Sequence, residues 1–242
     1  MSNPDKEVSA LQALLAAEKE GKNPQLDSEL GLRRFVANAD LIKTRLVSGK
    51  ILDWGCGLGH MSFLLKQHQF SVTSYDVADS GRDFLSKIGQ KLILADDAIK
   101  LPFPNAEFDA VLSSGVLEHV PQPDGSLQEI DRVLKPKGYL FIFRLPNKYS
   151  YLEFISDRLG RGDHAVKYTP KGIRTMLDRV GFEVLDLHYQ GFLPYNLKGF
   201  PAVIRKIYHR FDALQSNLDS FLAILPLINM LCTNIELVAR KK

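Results

Sequence analysis

A glycine-rich turn follows an acid early in the chain. The segment ILDWGCGLGHMS places Asp53 two residues before a turn that carries Gly55, Gly57 and Gly59. Glycine is costly to order, so such a turn indicates that something approaches its backbone closely. A dinucleotide fingerprint has the spacing G-x-G-x-x-G and seats a pyrophosphate. The observed G-x-G-x-G spacing, with an acid before it and no lysine, favours a cationic ligand with an ammonium group. This points to S-adenosylmethionine. The alternative is a turn that is needed only for packing.

Two further acids follow strand-like segments. Asp76 ends FSVTSYD, where a carboxylate can accept hydrogen bonds from both hydroxyls of a ribose; a solvated loop acid is the alternative. Asp97 follows KLILAD and could accept from an adenine amino group, while the backbone amide of Ala98 reaches a ring nitrogen. Asp96 competes with Asp97 for this role, and the sequence separates the two poorly.

Strands and helices alternate around these residues. The strand patterns are KILDW, FSVTSYD, KLILAD, FDAVLSS, YLFIFRLP, EVLDLHYQG and TNIELVARK. Helices are predicted over residues 8–20, 28–47, 60–69 and 125–134 and in TPKGIRTMLDRVGF, with KPKG as a turn. This alternation predicts an α/β fold with a doubly wound, mostly parallel sheet. Right-handed crossovers bring the carboxyl ends of the strands to one edge, where ligands bind in such sheets.

Four motifs in chain order resemble those of class I S-adenosylmethionine-dependent methyltransferases. They are ILDWGCGLG, YD, DAIKLPFPNAEFDAVLSSGVLEHV and EIDRVLKPKGYLFI, and they cover about residues 50–146. The resemblance implies a Rossmann-like sheet of seven strands whose last strand is antiparallel. It also implies S-adenosylmethionine as cofactor and S-adenosylhomocysteine as product. The residues it places around the cofactor are Asp53, Gly55, Gly57, Gly59, Asp76, Val77, Asp97, Ala98, Ser113 and Ser114.

Two basic residues are candidates for binding or catalysis. Arg34, with its neighbour Arg33, precedes the first strand, where related enzymes use an arginine on the cofactor carboxylate; a solvated helix face is the alternative. His119 follows the fourth strand. A histidine with a near-neutral pKa can remove the proton of a hydroxyl acceptor, which makes His119 the candidate base. A histidine that only orients a loop or caps a helix is the competing interpretation.

A weaker resemblance links SGVLEHVPQP to the O-methyltransferases of ubiquinone biosynthesis. In that group two glutamates and a histidine are associated with a divalent metal. Glu118 and His119 match, but Gly115 stands where the first glutamate would be. Because a hard cation needs oxygen ligands, we predict no metal site.

The region after the fifth strand resembles the lid of that group and of many glycan and natural-product methyltransferases. LPNKYSYLEF and GDHAVKYTPKG place Tyr149, His164 and Tyr168 where they could contact the acceptor; structural or surface roles are the alternative. An insertion follows at about residues 190–230. Its stretch 196–211 mixes basic and apolar residues without an acid, so it predicts either a peripheral membrane contact or a lid over the site.

The composition sets limits on the remaining possibilities. With 242 residues, 45% of them hydrophobic, the chain can form one domain, which we divide into an N-terminal helical cap (1–48), a cofactor-binding core (49–146) and a lid with the remaining sheet elements (147–242). A net charge of +3 does not suggest a nucleic-acid binder. Two distant cysteines suggest neither a disulfide framework nor a zinc site. The polar N-terminus and the short apolar runs predict a cytoplasmic protein.

The sequence therefore predicts methyl transfer from S-adenosylmethionine to a small-molecule, glycan or lipid-linked acceptor, with a hydroxyl group favoured. Nitrogen or carbon acceptors are alternatives, and so is a non-catalytic partner protein that binds the cofactor. A nucleotide-dependent oxidoreductase is disfavoured by the glycine spacing and by Asp53. The oligomeric state and the identity of the acceptor are not predicted.

Overall fold

A computed structural model describes most of the chain. The described residues are 4–16, 28–95, 97, 99–160, 164, 166–194, 197 and 202–242. Among them, seven strands form one sheet in the order β3-β2-β1-β4-β5-β7-β6. The strands are β1 (Lys50–Trp54), β2 (Ser71–Asp76), β3 (Leu92–Leu94), β4 (Phe108–Ser114), β5 (Leu134–Pro146), β6 (Phe182–Gln190) and β7 (Asn234–Lys241). β7 runs antiparallel to both β5 and β6 and the other pairs are parallel, which confirms the predicted topology.

Helices connect and cover the strands. They are α1 (Pro4–Ala16), α2 (Glu29–Arg45), α3 (His60–Gln67), α4 (Arg82–Lys87), α5 (Pro123–Val133), α6 (Tyr151–Arg158), α7 (Pro170–Val180), α8 (Ala202–His209) and α9 (Asp212–Ile224). Ser28 caps α2 by accepting from the amide of Gly31, as expected for a residue of its type at a helix start. Gly181 ends α7 in a left-handed conformation. The first predicted helix begins earlier than expected, at Pro4, and residues 17–20 of that prediction lie outside the described part.

The turn predicted at KPKG is wrong, because this segment lies inside a strand. β5 already begins at Leu134, which pairs with Phe108, and the register then shifts so that Ala110 pairs with Tyr139. The residues between form a bulge, in which Lys137 has a φ of +64°. A bulge gives the extra residues room without ending the strand, so a turn-like sequence lies inside a strand.

The core lies on both faces of the sheet. Adjacent strand residues alternate between the two layers: Leu52 and Ile142 pack in the layer beneath α5 and α7, while Ile51 and Phe141 pack in the layer beneath α1, α2 and α3. Burial on both faces is typical of parallel sheets. Each fully buried large apolar side chain contributes roughly 1.5–3 kcal/mol, so the two layers together hold the strand ends rigidly.

The carboxyl ends of the parallel strands share one edge of the sheet. Asn234, at the start of β7, pairs with Pro146 and with Gln190, the last residues of β5 and β6. The insertion over residues 191–233 therefore leaves and re-enters the sheet at this same edge. Among the described residues, no helix has the length and apolar character needed to cross a membrane.

Candidate functional site

The glycine turn after β1 adopts left-handed backbone conformations. The φ angles are +72° at Gly55, +53° at Gly57 and +86° at Gly59. A Cβ atom on Gly55 would lie 2.4 Å from Val116 Cγ2, and one on Gly59 would lie 2.6 Å from Leu85 Cδ2, so packing alone requires both glycines. A Cβ atom on Gly57 would meet nothing within 4 Å. Of these three glycines, Gly57 is therefore the one whose Cα faces open space.

A cavity of about 450 Å³ lies beside this turn, and we name it the first cavity. Its lining includes Asp53, Gly57, His60, Ser114 and Arg144. These residues come from the carboxyl ends of β1, β4 and β5 and from the start of α3. The cavity thus lies at the sheet edge where ligands bind in this kind of fold.

Asp53 is buried in the wall of the first cavity. Its Oδ2 atom accepts a hydrogen bond of 2.6 Å from the hydroxyl of Ser62, which lies 2.7 Å from the hydroxyl of Ser74. Burial raises the pKa of Asp53 to about 7, and the nearby charge of Asp76 acts in the same direction. A cationic ligand would favour the charged carboxylate, because an opposite charge offsets the cost of burial.

Arg144 brings a positive charge to the same cavity and is a site residue that was not predicted from the sequence. It has a φ of +60° at a β-bulge between Ile142 and Leu145. Its backbone amide donates to Glu236 Oε1 at 3.0 Å, and its guanidinium lies 5.1 Å from the ring centre of Phe35. The Nε atom has no hydrogen-bond partner among the described residues. An arginine within the apolar run FIFRLP was the available signal, since charges are rarely buried in strands without a reason.

His60, at the start of α3, is the second missed residue. Its ring packs edge-on against Phe35 with a centroid distance of 4.3 Å. Neither ring nitrogen has a hydrogen-bond partner in the described part of the chain. Burial lowers the pKa of His60 to about 3, and the charge of Arg144 contributes. The imidazole is therefore neutral and offers one donor and one acceptor to a polar ligand.

Asp76 borders a smaller cavity of about 150 Å³, which we name the second cavity. Its carboxylate holds two loops: Oδ2 accepts from the Gly57 amide at 2.7 Å and Oδ1 from the Ala78 amide at 2.9 Å. Each oxygen keeps a further lone pair for a ligand hydroxyl. Gly55 lines both cavities, so they adjoin, and Val77 and His119 also line the second.

Asp97, the acid predicted to bind the adenine, does not lie where that role requires. Asp97 Oδ1 accepts from the amides of Ile99 and Lys100 at 2.7 and 2.8 Å, and these bonds lower its pKa. The carboxylate is exposed and lines neither cavity. The competing Asp96 and the predicted Ala98 lie outside the described residues. The structure therefore does not bring the Asp97 side chain to the cavities.

Of the two serines that end β4, Ser114 reaches the first cavity and Ser113 lines neither cavity. Ser113 is buried, and Ser114 lines the first cavity. Neither hydroxyl has a hydrogen-bond partner among the described residues. Buried hydroxyls usually find a partner, so the hydroxyl of Ser114, which lines the first cavity, is available to a ligand or a water.

Arg34 is not at the cavities. Its guanidinium forms a buried ion pair with Asp219 of α9, with Nη2 2.7 Å from Oδ2, and donates to the carbonyl of Leu193 at 3.1 Å. It lines neither the first nor the second cavity. The structure thus places Arg34 between the N-terminal helices and the insertion.

His119 lies in the wall of the second cavity beside two ionisable groups. Its Nε2 atom is 3.9 Å from Glu118 Oε1, and its ring centre is 5.9 Å from that of His164. Burial raises the pKa of Glu118, and both histidines counteract that shift. Each of the three side chains offers one potential ligand atom, and these atoms lie within 4.8 Å of one another. The absence of a metal stays a prediction. His164 adds a third potential ligand to the pair of Glu118 and His119.

The three predicted acceptor residues have different surroundings. His164 Nδ1 lies 3.2 Å from Glu153 Oε1, and both line a third cavity of about 470 Å³. Tyr168 is buried; its hydroxyl donates to the carbonyl of Leu117 at 3.2 Å, and burial raises its pKa to about 12. Tyr149 is half exposed. Of the three, His164 is the one that faces a cavity, while Tyr168 supports the segment that carries His119.

Comparisons with known proteins identify the class. Residues 52–142 match the family model of a methyltransferase domain. The chain is 30% identical over 166 residues to a ubiquinone biosynthesis O-methyltransferase of Pseudomonas entomophila, covering 60% of this chain and 69% of the relative. For the protein of that name in Pseudomonas aeruginosa, the identity is 29% over 160 residues, covering 59% and 68%.

A solved structure supports the fold. An S-adenosylmethionine-dependent methyltransferase from Thermotoga maritima superposes with a TM-score of 0.61 at 16% identity, covering 86% of this chain and 89% of the other. The chain belongs to the S-adenosylmethionine-dependent methyltransferase family. It is an enzyme with S-adenosylmethionine as its cofactor, which confirms the predicted fold, cofactor and class.

Proposed function

We propose that this enzyme methylates a hydroxyl group of a small-molecule or lipid-linked acceptor, with His119 as the base. The observation that carries this proposal is the position of His119, which lines the second cavity and lies 3.9 Å from the carboxylate of Glu118. The named activity of the two Pseudomonas relatives supports oxygen as the acceptor atom.

The two cavities fit the cofactor. Asp53 and Arg144 give the first cavity opposite charges, which complement the ammonium and carboxylate of the methionine part. The open space at Gly57 admits that part against the backbone. Asp76 borders the second cavity and keeps acceptor capacity for the ribose hydroxyls. When bound, S-adenosylmethionine supplies a methyl group on a positively charged sulfur, which is already activated for transfer.

The chain's own residues then need to align the acceptor and remove its proton. Holding the acceptor oxygen in line supplies a large part of the rate, because orientation replaces a bimolecular encounter. His119 Nε2 accepts the hydroxyl proton, and the carboxylate of Glu118 stabilises the resulting imidazolium. The hydrogen bond from Tyr168 to the Leu117 carbonyl holds the backbone immediately before these two residues.

The experiment measures methyl transfer from radiolabelled S-adenosylmethionine to a panel of phenols, prenylated phenols, glycans and amines. We expect phenolic or prenylated hydroxyls to be methylated. His119→Ala should lower kcat by roughly 10²–10⁴-fold, the usual contribution of a general base. Its affinity for S-adenosylhomocysteine should stay within about twofold, because the residue acts on the acceptor.

His188→Ala is the matched control, since His188 lies on β6 and lines none of the three cavities. That variant should keep full activity. Methylation of amines alone, or full turnover by His119→Ala on the accepted hydroxyl, would contradict the proposal.

A further inference from the structure

The insertion exposes apolar side chains along two consecutive helices. On α8, Val203, Ile204 and Ile207 are exposed. On α9, Leu214 is 65% exposed and Ile224 is 72% exposed. A soluble surface rarely leaves apolar residues of this size contiguous unless another surface covers them.

The exposed residues of α9 lie on one helical face. Leu214, Leu218, Phe221 and Ile224 are spaced by four, three and three residues, which is the repeat of a single stripe. The stripe continues past the helix end, where Leu227 is 79% exposed. We call the exposed apolar side chains between residues 203 and 231 the apolar surface.

Positive charge accompanies the apolar surface. Lys206 and Arg210 are exposed, and neither has an ion-pair partner among the described residues. Asp219 is the one acid between residues 203 and 231 whose side chain is described, and it is buried against Arg34. Among the side chains that the structure describes here, the exposed charge is therefore positive, which attracts a negatively charged partner.

The end of the apolar surface is held against the segment that precedes α6. The side-chain amide of Asn147, just before α6, donates to the carbonyls of Met230 and Cys232 at 2.8 Å. α6 itself exposes Phe154 and Ile155. Phe154 also lines the third cavity together with His164. Exposed apolar side chains thus lie both on the insertion and on α6, the helix that carries Phe154 into the wall of the third cavity.

We infer that the apolar surface docks onto an anionic phospholipid bilayer and so brings the site to acceptors held in the membrane. A basic helix, α8, followed by a helix with an exposed apolar stripe, α9, matches segments that lie in the interfacial plane of a membrane. α8 and α9 have 8 and 13 residues, too few to span a bilayer, so they lie on it. A symmetric pair of chains would enclose the exposed cations Lys206 and Arg210 of both copies in one interface, which concentrates like charge there. The surface extends well beyond the stretch 196–211 that the sequence indicated.

The test is flotation of the purified full-length chain with two kinds of vesicle. We expect binding to vesicles of phosphatidylcholine mixed with phosphatidylglycerol, weaker binding to phosphatidylcholine alone, and release by salt. Lys206→Ala should weaken binding roughly fivefold, as expected for one basic charge at a membrane surface. The double variant Leu214→Ser with Phe221→Ser should abolish flotation, because it removes apolar side chains that would enter the bilayer.

Two matched controls use exposed residues at the opposite edge of the sheet. Val47→Ser, before β1, and Lys91→Ala, before β3, should float like the unmodified chain. Binding of S-adenosylhomocysteine by every variant reports that its fold is intact. Flotation needs no methyl transfer, so this test is independent of the proposed hydroxyl chemistry. No flotation of the unmodified chain, or unchanged flotation of the double variant, overturns the inference. If the unmodified chain self-associates but does not bind vesicles, and the double variant stays monomeric, the inference is overturned: the apolar surface then docks onto a second copy of the chain.

Discussion

Arg34 and Asp219 form a buried ion pair in which the guanidinium Nη2 lies 2.7 Å from the carboxylate Oδ2. The pair joins α2 to α9 across 185 residues of sequence. Asp219 also accepts the Leu193 amide at 2.7 Å, which ties the chain after β6 to the same point. The insertion is therefore anchored to the N-terminal helices by a charge contact rather than by its apolar surface.

Breaking this pair should destabilise the enzyme without removing its cofactor site. Arg34→Met leaves Asp219 as an unpaired buried charge, which costs roughly 3–5 kcal/mol. Chemical unfolding measures that loss, and adding Asp219→Leu should recover most of it. Affinity for S-adenosylhomocysteine should change by less than about tenfold, or 1.4 kcal/mol. Unchanged stability together with a loss of affinity greater than about tenfold would instead assign Arg34 to the cofactor site.

Asp76 should contribute strongly to cofactor binding. Asp76→Ala removes the carboxylate that borders the second cavity and holds the amides of Gly57 and Ala78. Hydrogen bonds to a charged group contribute about 1.5–3 kcal/mol each, so we expect calorimetry to show roughly 10- to 100-fold weaker binding of S-adenosylhomocysteine. The control is Asp79→Ala, whose carboxylate forms an exposed pair with Arg82. Equal affinities of the two variants would sink the assignment of Asp76.

Cofactor binding should depend on pH through Asp53. Burial raises the pKa of this carboxyl to about 7, so in the free enzyme it carries a proton below that pH and a charge above it. A ligand ammonium pairs with the charged form, so affinity should fall about tenfold per pH unit below 7 and level off above it. Asp53→Asn should bind more weakly at pH 8 and show a flat profile. A sloping profile in that variant would assign the titration to another group.

Arg144 should recognise the amino-acid part of the ligand specifically. Arg144→Met keeps the length of the side chain but removes its charge, so affinity for S-adenosylhomocysteine should fall roughly 10-fold or more, as for a lost charged hydrogen bond. Methylthioadenosine lacks the carboxylate and should bind equally well to both forms. Lys148→Met, an exposed neighbour after β5, is the control. Equal losses for the two ligands would show that the substitution damages the cavity instead.

Much of the fold was predictable because its signals are local. The alternation of apolar strands with amphipathic helices requires only neighbouring residues, and it placed all seven strands. The turn predicted at KPKG was wrong because the pairing of Leu134 with Phe108, which begins β5 before this segment, depends on a strand distant in sequence. The glycine turn, Asp53 and Asp76 were found because they lie at or just after the carboxyl ends of strands, and these ends share one edge of the sheet.

The rest of the site depends on contacts between distant segments. Arg144 reaches the first cavity from a β-bulge whose amide is held by Glu236, 92 residues away. His60 belongs to the site because its ring packs on Phe35 of α2. Asp97 has the residue type of an adenine ligand, but its carboxylate accepts from its own loop. Whether such a side chain binds a ligand or its own loop depends on the backbone geometry, which the residue types do not specify.

The measurement that tests the account most directly is a calorimetric titration of the purified chain with S-adenosylhomocysteine, with NAD as the control. The first and second cavities predict micromolar binding of S-adenosylhomocysteine, a stoichiometry of one per chain and no binding of NAD. Binding of NAD, or of S-adenosylhomocysteine with the same affinity in the Asp76→Ala and Arg144→Met variants, would contradict the assignment of these two cavities to the cofactor.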